Sequence, residues 1–209
     1  MRTFYKYRPL GTPKFNNRFR EIIKKQQLYC SKYSENNDPL ELYFYSQQEL
    51  GKELIDNIRG GKEQRYLCSF SSEEAGIRDN VMWAMYANNH KGCCIEFVIR
   101  DQNVEPKQVV YEGKLLECNH PNESFIEDTL FYHKTKPWEH EKEWRVCMHG
   151  ANNHRPTLDI SIIRIFFGAK MKKRSYSFWK RYIQEQLGNE IQVSQIEPED
   201  LDYGNGKNE

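Results

Sequence analysis

The chain has 209 residues, with 31 lysines and arginines against 30 aspartates and glutamates, so its formal net charge is +1. This length is typical of one domain with a hydrophobic core of its own. Because the net charge is close to zero, the electric field of the whole protein would not hold it on nucleic acid or on an anionic membrane. Any contact with a polyanion must come from a local patch.

The six cysteines show no C-x-x-C spacing, and most of them lie in apolar runs. This pattern predicts reduced, structural thiols and no metal site. The first fifteen residues lack the apolar core of a signal peptide, and no window approaches the roughly 18 apolar residues of a membrane span. We therefore expect a cytoplasmic protein that makes no membrane contact.

In the first third of the chain, short strands are predicted on either side of a helix. Residues 3–8 alternate aromatic and basic side chains, as a strand does, and apolar residues at helical spacing over 15–23 predict a helix. Residues 28–33 predict a second strand, which the turn SENNDP ends. Apolar residues over 50–58 predict a second helix that stops at the pair Gly60 and Gly61.

The rest of the chain continues this mixture of strands and helices. Residues 93–99 are apolar at every position but Glu96, which predicts a central strand buried on both faces. The other predicted elements, in chain order, are strand 66–70, helix 80–88 closed by Gly92, strand 107–111, helix 123–134, strands 143–148 and 160–167, and helix 176–187. Residues 198–209 are polar and predict a flexible tail.

The order of these elements favours an α+β fold. They do not alternate as βαβ units, and no glycine-rich phosphate loop follows a strand, which argues against a doubly wound nucleotide fold. The sequence therefore predicts mixed, largely antiparallel sheets with peripheral helices, in a single domain over residues 1–197.

Several strings occur together in an unusual order. They are YKYRPL, LYCSKYSENNDPLE, CSFS, MWAMYANNHKG and WEHEKEWR. Over about residues 4–168 the chain resembles a large bacterial domain-of-unknown-function family with M-W-x-H-Y-A-x-x-H-K-G and Y-E-K-E-W-R blocks. Two departures matter: Met85 stands where that family usually has histidine, and Asn36 where it usually has phenylalanine.

More remotely, the layout resembles ADP-ribosyltransferase-like folds. That resemblance implies that Arg8 and Ser31 hold NAD, while Glu143 stabilises the ribose cation that forms when nicotinamide leaves. Such chemistry needs a carboxylate beside the developing oxocarbenium ion and a guanidinium on the diphosphate. The implied ligand is NAD as a substrate, and toxin or phage-defence roles are consistent with its consumption.

The 138–145 segment, WEHEKEWR, supplies the candidate catalytic residues. By the two-residue period of a strand, Glu141, Glu143 and Arg145 are predicted on one face. In the functional interpretation Glu143 is catalytic, Arg145 orients it, and Glu141 assists through a raised or shared proton. The structural alternative is a salt-bridge ladder between strands at a solvent edge.

The 82–92 segment, MWAMYANNHKG, supplies candidate ligand contacts. Met82, Met85 and Tyr86 are predicted to wrap toward the sheet, and the Tyr86 ring is a candidate for stacking on a base or nicotinamide. His90 and Lys91 follow at the helix end, where they either contact ligand or favour the carbonyl dipole.

Together with Ser31, two further positions complete the predicted NAD-binding set. Tyr29 and Ser31 lie on the second predicted strand, and Asp38 either caps the following turn or contacts a ribose hydroxyl.

Outside this set, a basic run is a candidate for contact with a protein or nucleic-acid target. It consists of Lys170, Lys172, Lys173 and Arg174.

Two other functions are open at this point. One is a metal-dependent nuclease or phosphodiesterase with Glu141, Glu143 and Asp38 as ligands for a hard cation. The other is a sensor or partner-binding module without catalysis, suggested by Met85 in the histidine position.

Overall fold

The computed structural model describes residues 2–72, 77–122, 125, 129–150 and 155–201. Within them the chain forms four helices, α1 (Pro13–Lys25), α2 (Lys52–Glu63), α3 (Asn80–Tyr86) and α4 (Lys173–Leu187). The strands are β1 (Phe4–Arg8), β2 (Gln27–Tyr29), β3 (Ser31–Lys32), β4 (Phe44–Tyr45), β5 (Arg65–Ser71), β6 (Cys93–Ile99), β7 (Lys107–Gln108), β8 (Val110–Glu112), β9 (Leu116–Glu117), β10 (His133–Thr135), β11 (Glu143–His149), β12 (Thr157–Phe167) and β13 (Gln192–Gln195). Short 3-10 turns lie at Tyr33–Glu35, Leu130–Tyr132, Lys136–Glu141 and Pro198–Asp200.

The chain divides into two compact units, each built from segments that are distant in sequence. Unit 1 comprises Met1–Leu28, Phe70–Gln102 and Asp159–Glu209, and unit 2 comprises Tyr29–Ser69 and Asn103–Leu158. The single domain over 1–197 stays a prediction, and each unit is described separately.

In unit 1, β6 lies between β1 and β12, and it is antiparallel to both. Strand β13 runs parallel to β12 on its other side, and Tyr5 of β1 pairs with Ser71 at the end of β5. Every residue of β6 except Val98 is buried, which confirms the strand predicted from its apolar run.

The core of unit 1 is aromatic. Phe19 of α1 meets Trp179 of α4 edge to face, with ring centroids 5.1 Å apart, and it also contacts Phe167. A second cluster surrounds Trp83 and includes Tyr7, whose ring lies 5.2 Å from the Trp83 ring. Buried aromatic area of this kind is the main stabilising contribution in a domain of this size.

In unit 2, Ser31 and Lys32 of β3 pair antiparallel with Leu67 and Tyr66 of β5. Strand β11 adjoins β5 and is antiparallel to β7, and two short parallel pairs, β10 with β8 and β4 with β9, complete the unit. Its hydrophobic cluster consists of Leu42, Ile58, Leu67, Leu130, Phe131 and Tyr132.

The α+β class and the largely antiparallel pairing are confirmed, whereas several predicted boundaries are wrong. The second helix does not stop at Gly60 and Gly61, because α2 continues to Glu63. Two helical glycines cost roughly 1 kcal/mol each. Burial of Ile58 and the hydrogen bond from Lys62 Nζ to the Leu42 carbonyl offset that cost.

The helix predicted over 123–134 ends earlier than expected where the structure describes it, because Phe125 and Thr129 are helical but the helical pattern does not continue to residue 134. Leu130, Phe131 and Tyr132 are all buried in one 3-10 turn, and β10 begins at the next residue. Three consecutive buried side chains do not form the single apolar face of an α-helix. Residues 123, 124 and 126–128 lie outside the described residues.

Two predicted strands are interrupted. The strand expected over 28–33 is split between β2 and β3 and ends in the 3-10 turn Tyr33–Glu35. The strand expected over 107–111 is split at Val109, which is buried and donates its N–H to the Glu143 carbonyl.

All six cysteines are free thiols, and four of them are buried. Among the described helices, none combines the length and the apolar character that crossing a bilayer requires. In the predicted tail, Leu201 is buried in the cluster around Trp83, and residues 202–209 lie outside the described part of the chain.

Candidate functional site

Unit 2 contains five charged side chains that are buried against one another, and each is at most 5% exposed. We call them the ion network: Glu41, Lys134, Glu141, Glu143 and Arg145. Buried charges are tolerated only when they are paired and hydrogen-bonded. Their arrangement therefore determines what this region can do.

Arg145 is the centre of the network. Because Glu143 and Arg145 are two residues apart on β11, both side chains lie on one face of the strand. Arg145 Nε donates to Glu143 Oε1 at 2.8 Å and Nη2 donates to Oε2 at 3.1 Å. Nη1 donates to the Phe131 carbonyl at 2.7 Å, and Nη2 also pairs with Glu41. The guanidinium is thus fixed by two carboxylates and a carbonyl.

Lys134, on β10, links Glu143 to the third carboxylate, Glu141. Its Nζ lies 2.6 Å from Glu141 Oε2 and 2.8 Å from Glu143 Oε2. It also lies 5.3 Å from the centre of the Trp138 ring, within cation–π distance. Glu141 and Glu143 therefore both contact the same ammonium group.

The structure corrects the predicted strand face. Glu141 is the last residue of the 3-10 turn Lys136–Glu141, and Lys142 follows with a left-handed φ of 42° before β11 begins at Glu143. The period of two thus holds for Glu143 and Arg145 and fails for Glu141. The predicted salt bridges exist, but they are buried and do not form a ladder at a solvent edge.

Burial and the cations act in opposite directions on the carboxyl groups. Burial by itself would raise the pKa of Glu143, but Arg145 and Lys134 together lower this pKa below its ordinary value. For Glu41, burial raises the pKa more than Arg145 and Lys134 lower it. The cations therefore favour the ionised form of Glu143, whereas burial works against the ionised form of Glu41.

Glu41 also lines a cavity within unit 2. The cavity has a volume of about 210 Å³ and is lined by aromatic, aliphatic and basic side chains together with Glu41. The lining consists of Tyr33, Glu41, Leu42, Tyr43, Phe44, Ile55, Ile58, Arg59 and Lys62. Burial, followed by the neighbouring Arg59, lowers the pKa of Lys62. Glu41 thus contributes to the wall of a space that two cations and several rings also line, while both of its carboxylate oxygens are buried beneath that wall.

The sequence interpretation missed two members of the network, Glu41 and Lys134. Glu41 follows the turn NDPL and stands between two leucines, and Lys134 follows the aromatic run of Phe131 and Tyr132. A charge placed inside an apolar run was the available signal, since such a charge is buried only with a partner.

Other predicted residues of unit 2 lie in local structural contacts. Asp38 is buried, and its Oδ1 accepts from the Leu40 N–H at 2.9 Å, as the capping interpretation expects. The Ser31 hydroxyl lies 3.2 Å from Asn36 Oδ1 and 3.3 Å from the Leu67 carbonyl. Tyr29 is exposed, and the Arg155 guanidinium lies 5.2 Å from its ring centre.

The proposed metal ligands have other contacts. Glu141 and Glu143 contact Lys134, and Asp38 Oδ1 accepts from the backbone. In the described ranges, no group of three His, Cys, Asp or Glu side chains is placed to hold a metal ion.

The predicted residues of unit 1 lie around the end of α3. Asn88, Asn89 and His90 are three consecutive residues with left-handed φ of 49°, 52° and 64°. The His90 ring is buried and stacks on Trp83 at a centroid distance of 6.3 Å. The His90 backbone N–H donates to the Trp83 carbonyl, and the His90 carbonyl accepts from the Lys170 backbone N–H. These contacts end the helix.

Gly92 closes this turn for a steric reason. A Cβ at this position would lie 2.2 Å from the Arg8 carbonyl oxygen and 2.8 Å from that of Ala87. Arg8 itself ends β1 opposite Cys93, and Lys91 is exposed.

The side chains of α3 divide between the core and solvent. Tyr86 packs against the cluster around Trp83, and Met82 is buried in it. Met85 is 48% exposed, so its predicted place against the sheet is wrong.

The structure brings Glu141, Glu143 and Arg145 together within unit 2. A single cleft for Arg8, Tyr86 and His90 of unit 1 with Ser31 and Glu143 of unit 2 stays a prediction.

Comparisons with protein-family models, with curated proteins and with solved structures found no match to this chain. The resemblances derived from sequence strings accordingly stay predictions.

Proposed function

We propose that this protein uses NAD as its substrate in the manner of an ADP-ribosyltransferase-like enzyme. The reaction breaks the bond between nicotinamide and ribose and passes ADP-ribose to water or to another acceptor. The observation that carries the proposal is Glu41, a residue that belongs to the ion network through its buried carboxyl group and also forms part of the cavity wall.

The charge balance of the network suits a ligand that becomes positive. With all groups ionised, three carboxylates face two cations, and burial disfavours the charged form of Glu41. A ribose oxocarbenium ion beside Glu41 would supply the missing positive charge at the transition state. An interaction that strengthens only there accelerates the reaction.

The other side chains of the cavity match the remaining groups of the substrate. Tyr33, Tyr43 and Phe44 offer rings for the nicotinamide, and Arg59 and Lys62 offer positive charge for the diphosphate. A volume of about 210 Å³ is below the ~300–1,000 Å³ of sites that enclose whole drug-sized ligands. The cavity therefore suits the ribosyl-nicotinamide end, with the diphosphate beside the exposed Arg59 side chain and the adenosine outside.

This proposal gives Glu143 a different role from the one predicted from sequence. Arg145 and Lys134 occupy both of its oxygens, so in this arrangement Glu143 positions Arg145, which in turn holds Glu41. Direct stabilisation of ribose by Glu143 stays the competing prediction.

A nicotinamide-release assay separates the two assignments. We expect the wild type to release nicotinamide from NAD, and Glu41→Gln to lower kcat by about 10²–10³, the effect of removing one charge-stabilising group. The control is Glu139→Gln, since Glu139 is exposed and pairs with Lys136. It should keep the wild-type rate.

The competing outcomes are distinct. Loss of activity in Glu143→Gln with full activity in Glu41→Gln would make Glu143 the catalytic group and would remove the cavity from the proposal. A folded wild type that releases no nicotinamide, with water or with added protein and nucleic-acid acceptors, would overturn the NAD proposal itself.

A macromolecular partner is a second part of the proposal. The exposed run Lys170, Lys172, Lys173 and Arg174 offers positive charge to an anionic target, either a protein or a nucleic acid.

A further inference from the structure

Positive charge is concentrated in two segments of unit 1. Helix α1 has five basic residues and one acidic residue, in the sequence PKFNNRFREIIKK. Residues 170–187, which include α4, have six basic residues and one acidic residue, in the sequence KMKKRSYSFWKRYIQEQL. The whole chain has 31 basic and 30 acidic residues, so the remainder has twenty basic and twenty-eight acidic residues. The near-neutral total therefore conceals a strong separation of charge.

Tertiary packing places these two segments side by side. Phe19 of α1 and Trp179 of α4 are in edge-to-face contact, and the Arg20 guanidinium lies 5.4 Å from the Trp179 ring centre. The apolar faces, with Ile22 and Ile23 on α1 and Ile183 on α4, are buried. The basic side chains consequently lie on the outer faces of the pair, and most of them are exposed.

The basic residues form lines along each helix. Lys173 and Lys180 are seven residues apart, as are Arg174 and Arg181, so each pair is aligned over two helical turns. Arg18 and Lys25 repeat the same spacing on α1. We call the outer faces of α1, α4 and the residues 170–172 the basic helix pair.

We propose that the basic helix pair binds the sugar-phosphate backbone of a nucleic acid. Helices of 13 and 15 residues are about 20 Å long. A duplex presents roughly one phosphate charge per 1.7 Å of its axis, or about twelve over that length. The two segments together carry eleven basic and two acidic residues, an excess of nine positive charges, which is similar to the number of phosphates.

The composition of the surface favours a nucleic acid over an acidic protein. Seven of the eleven basic residues are lysines, and lysine is depleted at the centres of protein interfaces.

It also favours a nucleic acid over a bilayer. In the described part of the basic helix pair, Phe178, at 42% exposure, is the large hydrophobic side chain that faces solvent. A membrane-surface helix needs a whole apolar face. One exposed ring beside Arg20 suits stacking on an unpaired base instead.

This inference rests on the macromolecular part of the proposed function and names its target class. It is independent of NAD cleavage, because the basic helix pair belongs to unit 1 and the cavity to unit 2.

Fluorescence anisotropy with a labelled 20-nucleotide RNA and a labelled 20-base-pair DNA tests the proposal between 50 and 200 mM NaCl. We expect binding by the wild type whose affinity falls steeply with salt, because each phosphate contact contributes about −0.9 on the duplex and about −0.7 on a single strand to the slope of log K against log[salt]. The variant Arg18→Glu, Lys173→Glu, Arg174→Glu should bind at least tenfold more weakly, with a slope lower by about 3. Glutamates in the first turn of α4 suit the helix dipole, so the fold should persist.

The matched control reverses three exposed lysines of unit 2, in the variant Lys52→Glu, Lys114→Glu, Lys142→Glu. It makes the same change in net charge and should bind as the wild type does. Equal weakening in both variants, or no wild-type binding at 50 mM NaCl, would overturn the proposal. So would binding to vesicles with a quarter of anionic lipid in the absence of binding to nucleic acid.

Nicotinamide release, measured in the same variants, keeps the two proposals separate. If the triple variant of the basic helix pair releases nicotinamide at the wild-type rate but no longer binds nucleic acid, the result supports the basic helix pair as the binding surface, independently of the role of the cavity. Failure of release alone leaves this inference standing.

Discussion

Two segments of similar composition have different structural roles. The 82–92 segment and the 138–145 segment both combine tryptophan, histidine and lysine beside buried strands. In the first, the buried polar atoms are mainly those of the backbone, which ends α3 through three left-handed residues and Gly92. In the second, the buried polar groups are charged side chains, which Arg145 and Lys134 pair with carboxylates.

The difference shows what each kind of burial requires. A buried backbone turn needs particular φ angles and one residue without a Cβ. Its N–H groups are satisfied by hydrogen bonds to neighbouring backbone carbonyls. A buried charge needs an opposite charge from another part of the chain. Only the second arrangement creates a local excess of charge that a ligand can use.

The largest change in stability is expected when the centre of the ion network is removed. Arg145→Met should lower the free energy of unfolding by about 3–5 kcal/mol, because it leaves Glu41 and Glu143 buried without their main cation. Urea denaturation at pH 7 measures the change.

Its control is Arg181→Met, since the Arg181 side chain is 74% exposed and lies 3.8 Å from Glu185. That change should stay within about 0.5 kcal/mol. A loss below about 1 kcal/mol for Arg145→Met would show that water reaches the network.

A smaller effect is expected in the 82–92 segment. Gly92→Ala should destabilise the protein by about 1–3 kcal/mol, because the added Cβ would meet the Arg8 and Ala87 carbonyls. Gly60→Ala in α2 is the matched substitution, since no atom lies within 4 Å of its Cβ position. It should be neutral or stabilise by up to about 1 kcal/mol. Equal effects of the two alanines in thermal unfolding would contradict the steric role of Gly92.

The smallest effect is a pair of opposite pH dependences within the ion network. The pKa of Glu143 is lowered in the folded state, so its contribution is present above the unfolded value of about 4.3 and is lost as the pH falls. The pKa of Glu41 is raised, so its contribution is present below about 4.3 and is lost as the pH rises through the folded value.

Relative to the wild type, Glu41→Gln should therefore gain stability as the pH rises above about 4.3, by at most about 1.4 kcal/mol per pH unit. Glu143→Gln should be less stable than the wild type at neutral pH, and this difference in the free energy of unfolding should shrink as the pH falls below about 4.3. Urea midpoints between pH 3 and 8 measure both trends. Slopes of the same sign would mean that one environment governs both carboxyl groups.

Long periodic patterns were sufficient to predict much of the fold. The helices α1 and α4 follow from apolar residues at helical spacing, and the strand β6 follows from a continuous apolar run, because each pattern is linked to how the element is buried. Short elements were predicted less well. In α2 and around Leu130, contacts from distant residues outweighed the local signals of glycine and of helical spacing.

The candidate site was only partly predictable. Glu143 and Arg145 stand two residues apart on one strand, so their pairing is local. Glu41 and Lys134 come from segments about a hundred residues apart, and no local pattern links them.

The sequence by itself determined the α+β class and the buried central strand, because these depend on the order of local elements and on a continuous apolar run. The tertiary structure decided which charges are buried together and which are gathered on the surface. Opposite charges are brought together by burial in unit 2, and like charges by the packing of α1 against α4 in unit 1. Both depend on contacts between residues distant in sequence, which composition and periodicity do not encode.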